Sequence, residues 1–222
     1  MSISSSESRP ITGPVYSDAE ELTNVITHGF GVLIAAAALM YIVMVIPPDY
    51  SFLQKGGAIA YGVTLMLMFL TSTLYHATKE PFKRDILRRA DHCSIFLVIA
   101  GTYTPILTIS LHSDTATALL LGLWVCAIVG VVFKVFFTGR FEILSVITYL
   151  AMGWSSLFVI YELAEVIDPT GLLLLLVGGG AYSIGVVFYG IKAISFNHAI
   201  WHCCVLVGSF SHCWLILGYV LN

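Results

Sequence analysis

Seven runs of about twenty residues in this 222-residue chain lack acidic side chains and nearly lack basic ones. Each is long enough to cross a hydrocarbon layer as a helix. They cover residues 25–46, 57–77, 93–111, 116–137, 143–161, 172–191 and 199–221. Ten-residue segments of alternating polarity, which a membrane barrel needs, are absent. The expected fold class is therefore all-α: a polytopic membrane protein built as a seven-transmembrane helix bundle. Composition agrees, because 58% of the residues are hydrophobic and 10% charged, too few charges for an ordinary soluble surface.

Residues 1–16 read as a polar cytoplasmic tail, and 17–222 as one membrane domain. The tail lacks the basic start and short apolar core of a signal peptide, so the first apolar run is expected to stay in the membrane. "SDAE" (Ser17 to Glu20) fits a capping box, which predicts a helix that begins ahead of the bilayer, and a solvated tail with a chance SxxE is the alternative reading. Basic residues set the orientation. Arg9, Lys79, Lys83, Arg84, Arg88, Arg89, Lys134, Arg140 and Lys192 fall on one side, and Lys55 alone on the other. That bias places the N-terminus in the cytoplasm and the C-terminus outside, the reverse of the rhodopsin-like receptors.

Within so apolar a chain the ionisable groups point to function. His76 ends the second span, Asp91 opens the third, and His198 and His202 open the seventh, all towards the cytoplasmic face. Ser72 lies one turn deeper than His76 on the same helix face. "HAIWH" puts His198 and His202 four residues apart on one face, a spacing that can hold one metal ion. A third histidine from another helix would complete the three-histidine set of a catalytic zinc site, leaving a fourth position for water. Spacing leaves a second reading open, in which these histidines are interfacial hydrogen-bonders. Asp91 likewise has an alternative role, pairing with Arg88 and Arg89 or capping a helix.

Other polar positions are assigned in the same way. His212 lies ten residues beyond His202, about 15 Å along a helix axis, too far to share a metal. It is expected to be packed and hydrogen-bonded, or part of an outward polar path. His28 is either a supporting contact for the site or an interfacial anchor. His92 is expected to point away from Asp91, and His112 to sit solvated in an outer loop. Most of Cys93, Cys126, Cys203, Cys204 and Cys213 read as reduced, packed thiols with no CxxC pattern, and Cys203 and Cys204 beside His202 as weak ligand candidates. "GGGAYSIG" (178–185) should allow close helix approach, and Pro105 should kink the third span.

"STLYH", "DHCSIFLVIAGTYTP", "YLAMGW" and "NHAIWH" resemble the bacterial hemolysin III family. That family is related to the progestin and adiponectin receptors and, more distantly, to the alkaline ceramidases. The likeness runs from about Ser17 through almost the whole chain. It implies that Ser72, His76, Asp91, His198 and His202 form one polar set. It also implies zinc as cofactor on His76, His198 and His202, in a protein of the bacterial inner membrane whose partners are membrane lipids. The related proteins suggest hydrolysis of a lipid amide or ester, with Asp91 as general base and Ser72 orienting it or donating to the oxyanion. One alternative is a membrane-stress or lipid-sensing protein whose zinc is structural. Another, carried by the family's name, is a pore-forming haemolysin. Seven retained spans and polar groups gathered at one side speak against pore formation as the primary role.

Overall fold

The computed structural model describes residues 16–221, so the expected tail over 1–16 falls outside the described residues except for Tyr16. All regular structure among the described residues is helical. The principal helices are α1 (Asp18–Val45), α2 (Phe52–Ala77), α3 (Pro81–Pro105), α4 (Asp114–Phe137), α5 (Glu142–Gly153), α6 (Ile160–Val166), α7 (Pro169–Gly190) and α8 (Asn197–Leu215). Seven helical segments of the described residues are long and apolar enough to cross a membrane, α5 and α6 together forming the fifth.

Most helices begin before their apolar runs because polar residues cap them. The Ser17 hydroxyl accepts from the Glu20 N–H while the Glu20 carboxylate accepts from the Ser17 N–H, the capping box read in the sequence. Ser51 and Gln54 form a second capping box at α2. Glu80 caps α3, and Pro81 supplies a ready-made first-turn φ. Asp91 therefore does not open the third span: it lies ten residues inside a helix that starts at Pro81. The apolar window missed this because the first turns of α3 carry Lys83, Arg84, Arg88 and Arg89.

Two spans depart from simple helices. Pro105 has no N–H to offer the Gly101 carbonyl, and beyond it the chain widens into a π-helical turn over Ile106–Ser110. The fifth span, expected as one helix over 143–161, breaks at Trp154 into a 3₁₀ turn over Ser155–Val159. Tyr103 holds the break: its hydroxyl donates to the Gly153 carbonyl at 2.5 Å and accepts from the Ser156 N–H at 2.9 Å.

The bundle is apolar outside and partly polar inside. Phe158 is 80% exposed, and Val125, Ile128, Val129 and Val132 of α4 also face outward. Asn24, His28, Ser72, His76 and His202 are buried instead. This inversion suits a hydrocarbon surround, which solvates apolar side chains and penalises exposed polar ones. α8 packs closely on α7 and also against α1, and α2 lies between α1 and α3. The small residues of 178–185 permit the α7–α8 approach: a Cβ on Gly178 would lie 2.3 Å from the His212 ring, and one on Gly185 2.6 Å from Trp201. α5 touches α3 and α7 lightly, and a cavity remains between these helices and α8.

Candidate metal centre

His198 and His202 project from the first turns of α8, and that start is itself held in place. Phe196, in the left-handed region at φ 57°, turns the chain into the helix. Its N–H donates to Glu20 Oε1 at 3.1 Å, satisfying a donor that no side chain of α8 caps. The Asn197 amide donates to the carbonyls of Phe188 and Tyr189 at the end of α7. α8 is thereby tied to both α1 and α7 at the level of its two histidines.

His76, from the last turn of α2, completes the group. One ring nitrogen from each of His76, His198 and His202 lies within 4.8 Å of the others, a spacing that could hold a metal ion. His76 Nε2 and His198 Nε2 are 3.2 Å apart. The supporting hydrogen bonds fit a ligand role. His76 Nδ1 is 2.7 Å from the Glu21 carboxylate, which can only accept. His202 Nδ1 is 3.2 Å from Thr27 Oγ1, whose own proton goes to the carbonyls of Thr23 and Asn24. With the proton on Nδ1, each ring donates to its oxygen partner and leaves the Nε2 lone pair free; the Asn24 side-chain amide also lies 3.4 Å from His76 Nδ1. A neutral imidazole with its second nitrogen bound to an oxygen acceptor is the usual arrangement of a metal-ligating histidine. The Tyr16 ring lies against His198, with centroids 5.1 Å apart and planes at 23°.

Glu21 is itself anchored. Its other oxygen accepts from Arg84, whose guanidinium also donates to the Tyr75 and Thr78 carbonyls and sits over the Tyr75 ring at 4.6 Å. Sequence reasoning did not single out Glu21, Asn24, Thr27 or Tyr16. A signal for two of them was present: Glu21 and Asn24 stand at i and i+3, leading into the stripe of His28, Gly31, Ala35, Ala38 and Ile42 that α1 buries.

Ser72 and Asp91 stand beside the histidines on the wall of a cavity of about 140 Å³ that His28, His198 and His202 also line. The Ser72 hydroxyl adjoins the Asp91 side chain. The expected alternative partners of Asp91 are otherwise engaged or farther off, Arg89 pairing with Asp85 at 2.7 Å. His92 corrects the sequence reading. It does not point away but lines the same cavity, with Nδ1 3.8 Å from Asp91 Oδ2. The Tyr149 hydroxyl donates to the His92 carbonyl at 3.0 Å and ties α5 to that turn.

From this polar end the cavity continues between apolar walls that include Val98, Ile99, Val146, Leu150, Val186 and Val205. It reaches Tyr103, Trp154, Tyr182 and His212. His212 is packed and hydrogen-bonded, as expected, with Nε2 3.2 Å from the Leu175 carbonyl. His112 is exposed in the loop before α4, also as expected. Of the five thiols, all free, Cys93 and Cys213 are buried and Cys203 is exposed, and none belongs to the metal-capable group of the described residues.

A family model described as Haemolysin-III related matches residues 16–213. The chain is similar to the Hemolysin-3 homolog of Bacillus subtilis (strain 168), at 39% identity over 208 residues, 94% of this chain and 98% of the relative. It is also similar to Hemolysin-3 of Bacillus cereus, at 39% identity over 202 residues, 91% of this chain and 92% of that protein. The human monocyte to macrophage differentiation factor is 29% identical over 175 residues, 75% of this chain and 71% of its own. Seven apolar helices, a buried three-histidine group and a family match across nearly the whole length lead to one conclusion: the chain is a multi-pass membrane protein of the haemolysin-III-related family.

Proposed function

We propose that this protein is a zinc-dependent hydrolase of a lipid amide or ester, resident in the bacterial inner membrane with its site near the cytoplasmic face. The observation that carries the reading is the convergence of His76, His198 and His202, with an oxygen acceptor from Glu21 or Thr27 beside the Nδ1 of two of the rings. The cavity beside them adds a carboxylate at the polar end of an apolar channel.

His76, His198 and His202 would hold the ion. When bound by three neutral histidines, zinc supplies Lewis acidity that brings the pKa of water from 15.7 to about 7. Asp91 takes the proton of the attacking water and returns it to the leaving amine or alcohol. Ser72 orients Asp91 through its hydroxyl, which supports a carboxylate fixed in direction before the lipid arrives. The apolar walls accept the acyl chain and exclude water from the reacting end.

The orientation rests on where the charges lie. The ends of the described helices nearest the histidines carry Lys79, Lys83, Arg84, Arg88, Arg89, Lys134, Arg140 and Lys192, and the opposite ends carry Lys55. A cytoplasmic site follows from the positive-inside rule.

Elemental analysis of the detergent-purified chain, beside a triple variant in which His76, His198 and His202 are alanine, tests the metal. About one zinc per chain in the parent and none in the variant is expected. Full occupancy in the triple variant would dismiss the site. Release of fatty acid from a panel of lipid amides and esters, lost with Asp91→Asn, tests the chemistry.

A further inference from the structure

His28 is the most completely unpartnered polar group of the described bundle. It is 4% exposed, and neither Nδ1 nor Nε2 has a hydrogen-bond partner among the described residues. Burying a polar group without a partner is costly, and such groups in a native fold call for an explanation. The ring is nevertheless tightly held. It stacks on His202 with centroids 3.5 Å apart and planes at 12°, and it meets Phe69 edge-on at 5.2 Å. Phe69 is in turn seated on Gly31, where a Cβ would fall 2.3 Å from its ring. Its neighbours thus fix the imidazole without satisfying it.

The direction of the ring matters as much as its rigidity. His28 lines the cavity together with Met68, Ser72, Asp91 and His202. Stacked parallel on His202, it is not one of the three residues whose nitrogens converge on a common point. An imidazole offers one donor and one acceptor when neutral. The complement is a group that also accepts and donates, namely a hydroxyl or an amide, carried on a chain that the apolar walls can hold.

We propose that His28 binds the ligand of the cavity directly, by a hydrogen bond between one ring nitrogen and a hydroxyl or amide group of a single-chain lipid seated beside Ser72 and Asp91. The inference rests on the reading of the cavity as a lipid site, and it adds which chemical group is recognised and by which residue. It does not depend on catalysis. His28 supplies affinity and register, and it discriminates against an apolar chain lacking that group, because such a chain leaves both nitrogens unsatisfied.

The test uses the full, metal-loaded chain in detergent, with 1,2-dodecanediol as a probe that cannot be hydrolysed and dodecane as its apolar control. Binding is read from the fluorescence of Trp154 and Trp201, which line the cavity. His28→Phe keeps an aromatic ring for the stack and removes both nitrogens. It is expected to weaken diol binding about tenfold, to leave dodecane binding and zinc content unchanged, and to keep or raise the melting temperature. His28→Gln, which retains a donor and an acceptor, is expected to recover most of the loss. Diol binding by His28→Phe that equals the wild type would overturn the proposal. So would zinc loss in that variant, which would make His28 a support for His202, or a wild type that prefers dodecane. A wild type that binds the diol through His28 yet cleaves no lipid amide or ester would retire the hydrolase reading and leave this one standing.

Discussion

Glu21 and His76 come from helices α1 and α2, and the carboxylate oxygen of one lies 2.7 Å from Nδ1 of the other. The contact orients the imidazole and fixes its tautomer, and Arg84 on the far side of Glu21 keeps the carboxylate in place. Glu21→Gln keeps the shape and weakens the acceptor. The expected result is a metal affinity lower by about 10- to 100-fold, with the helical content unchanged. Competition with a chelator of known affinity measures it, and an unchanged affinity would show that Glu21 serves packing alone.

Thr27 makes the matching contact to His202. Thr27→Val removes the acceptor and should lower metal affinity in the same direction, while Thr27→Ser should preserve it. If both variants retain the parent affinity, the His202 tautomer is set by something else.

Asp91→Asn separates metal binding from chemistry. Asp91 lies outside the group of three histidines, so zinc content should stay near the parent value while hydrolysis falls by about 10²- to 10⁴-fold. Ser72→Ala should produce a smaller loss, since it removes an orienting hydrogen bond and leaves the carboxylate. Full activity in Asp91→Asn would assign the base elsewhere and favour a structural or sensing role for the metal.

Tyr103→Phe addresses stability. Tyr103 is buried, and its hydroxyl serves both the Gly153 carbonyl and the Ser156 N–H where the fifth span breaks. Losing it strands two backbone groups, with an expected destabilisation of about 1–3 kcal/mol. A melting curve in detergent reads the effect, and an unchanged midpoint would mean that the break is held by packing.

Topology can be checked by labelling. In a variant lacking the native cysteines, a cysteine replacing Lys192 should resist an impermeant thiol reagent in intact cells, whereas one replacing Ser113 should react. The opposite pattern would invert the bundle and place the histidines at the outer face.

Much of this protein was legible in its sequence for a plain physical reason. Hydrocarbon demands long uninterrupted apolar helices, and it makes each ionisable residue within them conspicuous, so His76, His198, His202 and Asp91 stood out against the apolar background, and Ser72 followed from its spacing to His76. The four-residue spacing of His198 and His202 is a property of one helix and needs no tertiary knowledge. Ser17 and Glu20 declared the start of α1 in the same local way.

What the sequence could not state is anything that depends on two helices meeting. Glu21 carried no assignment in the sequence, and the α1–α2 packing made it the partner of His76. His92 follows Asp91 and was expected to diverge from it, yet both line one cavity, with His92 Nδ1 3.8 Å from Asp91 Oδ2. The break at Trp154 is invisible in hydropathy, because the Tyr103 hydroxyl that satisfies its backbone groups comes from another helix, fifty residues earlier in the chain. His28 shows the contrast in a single residue: the sequence left it as a supporting contact or an interfacial anchor, and only the assembled bundle set it in the cavity wall with neither nitrogen partnered among the described residues.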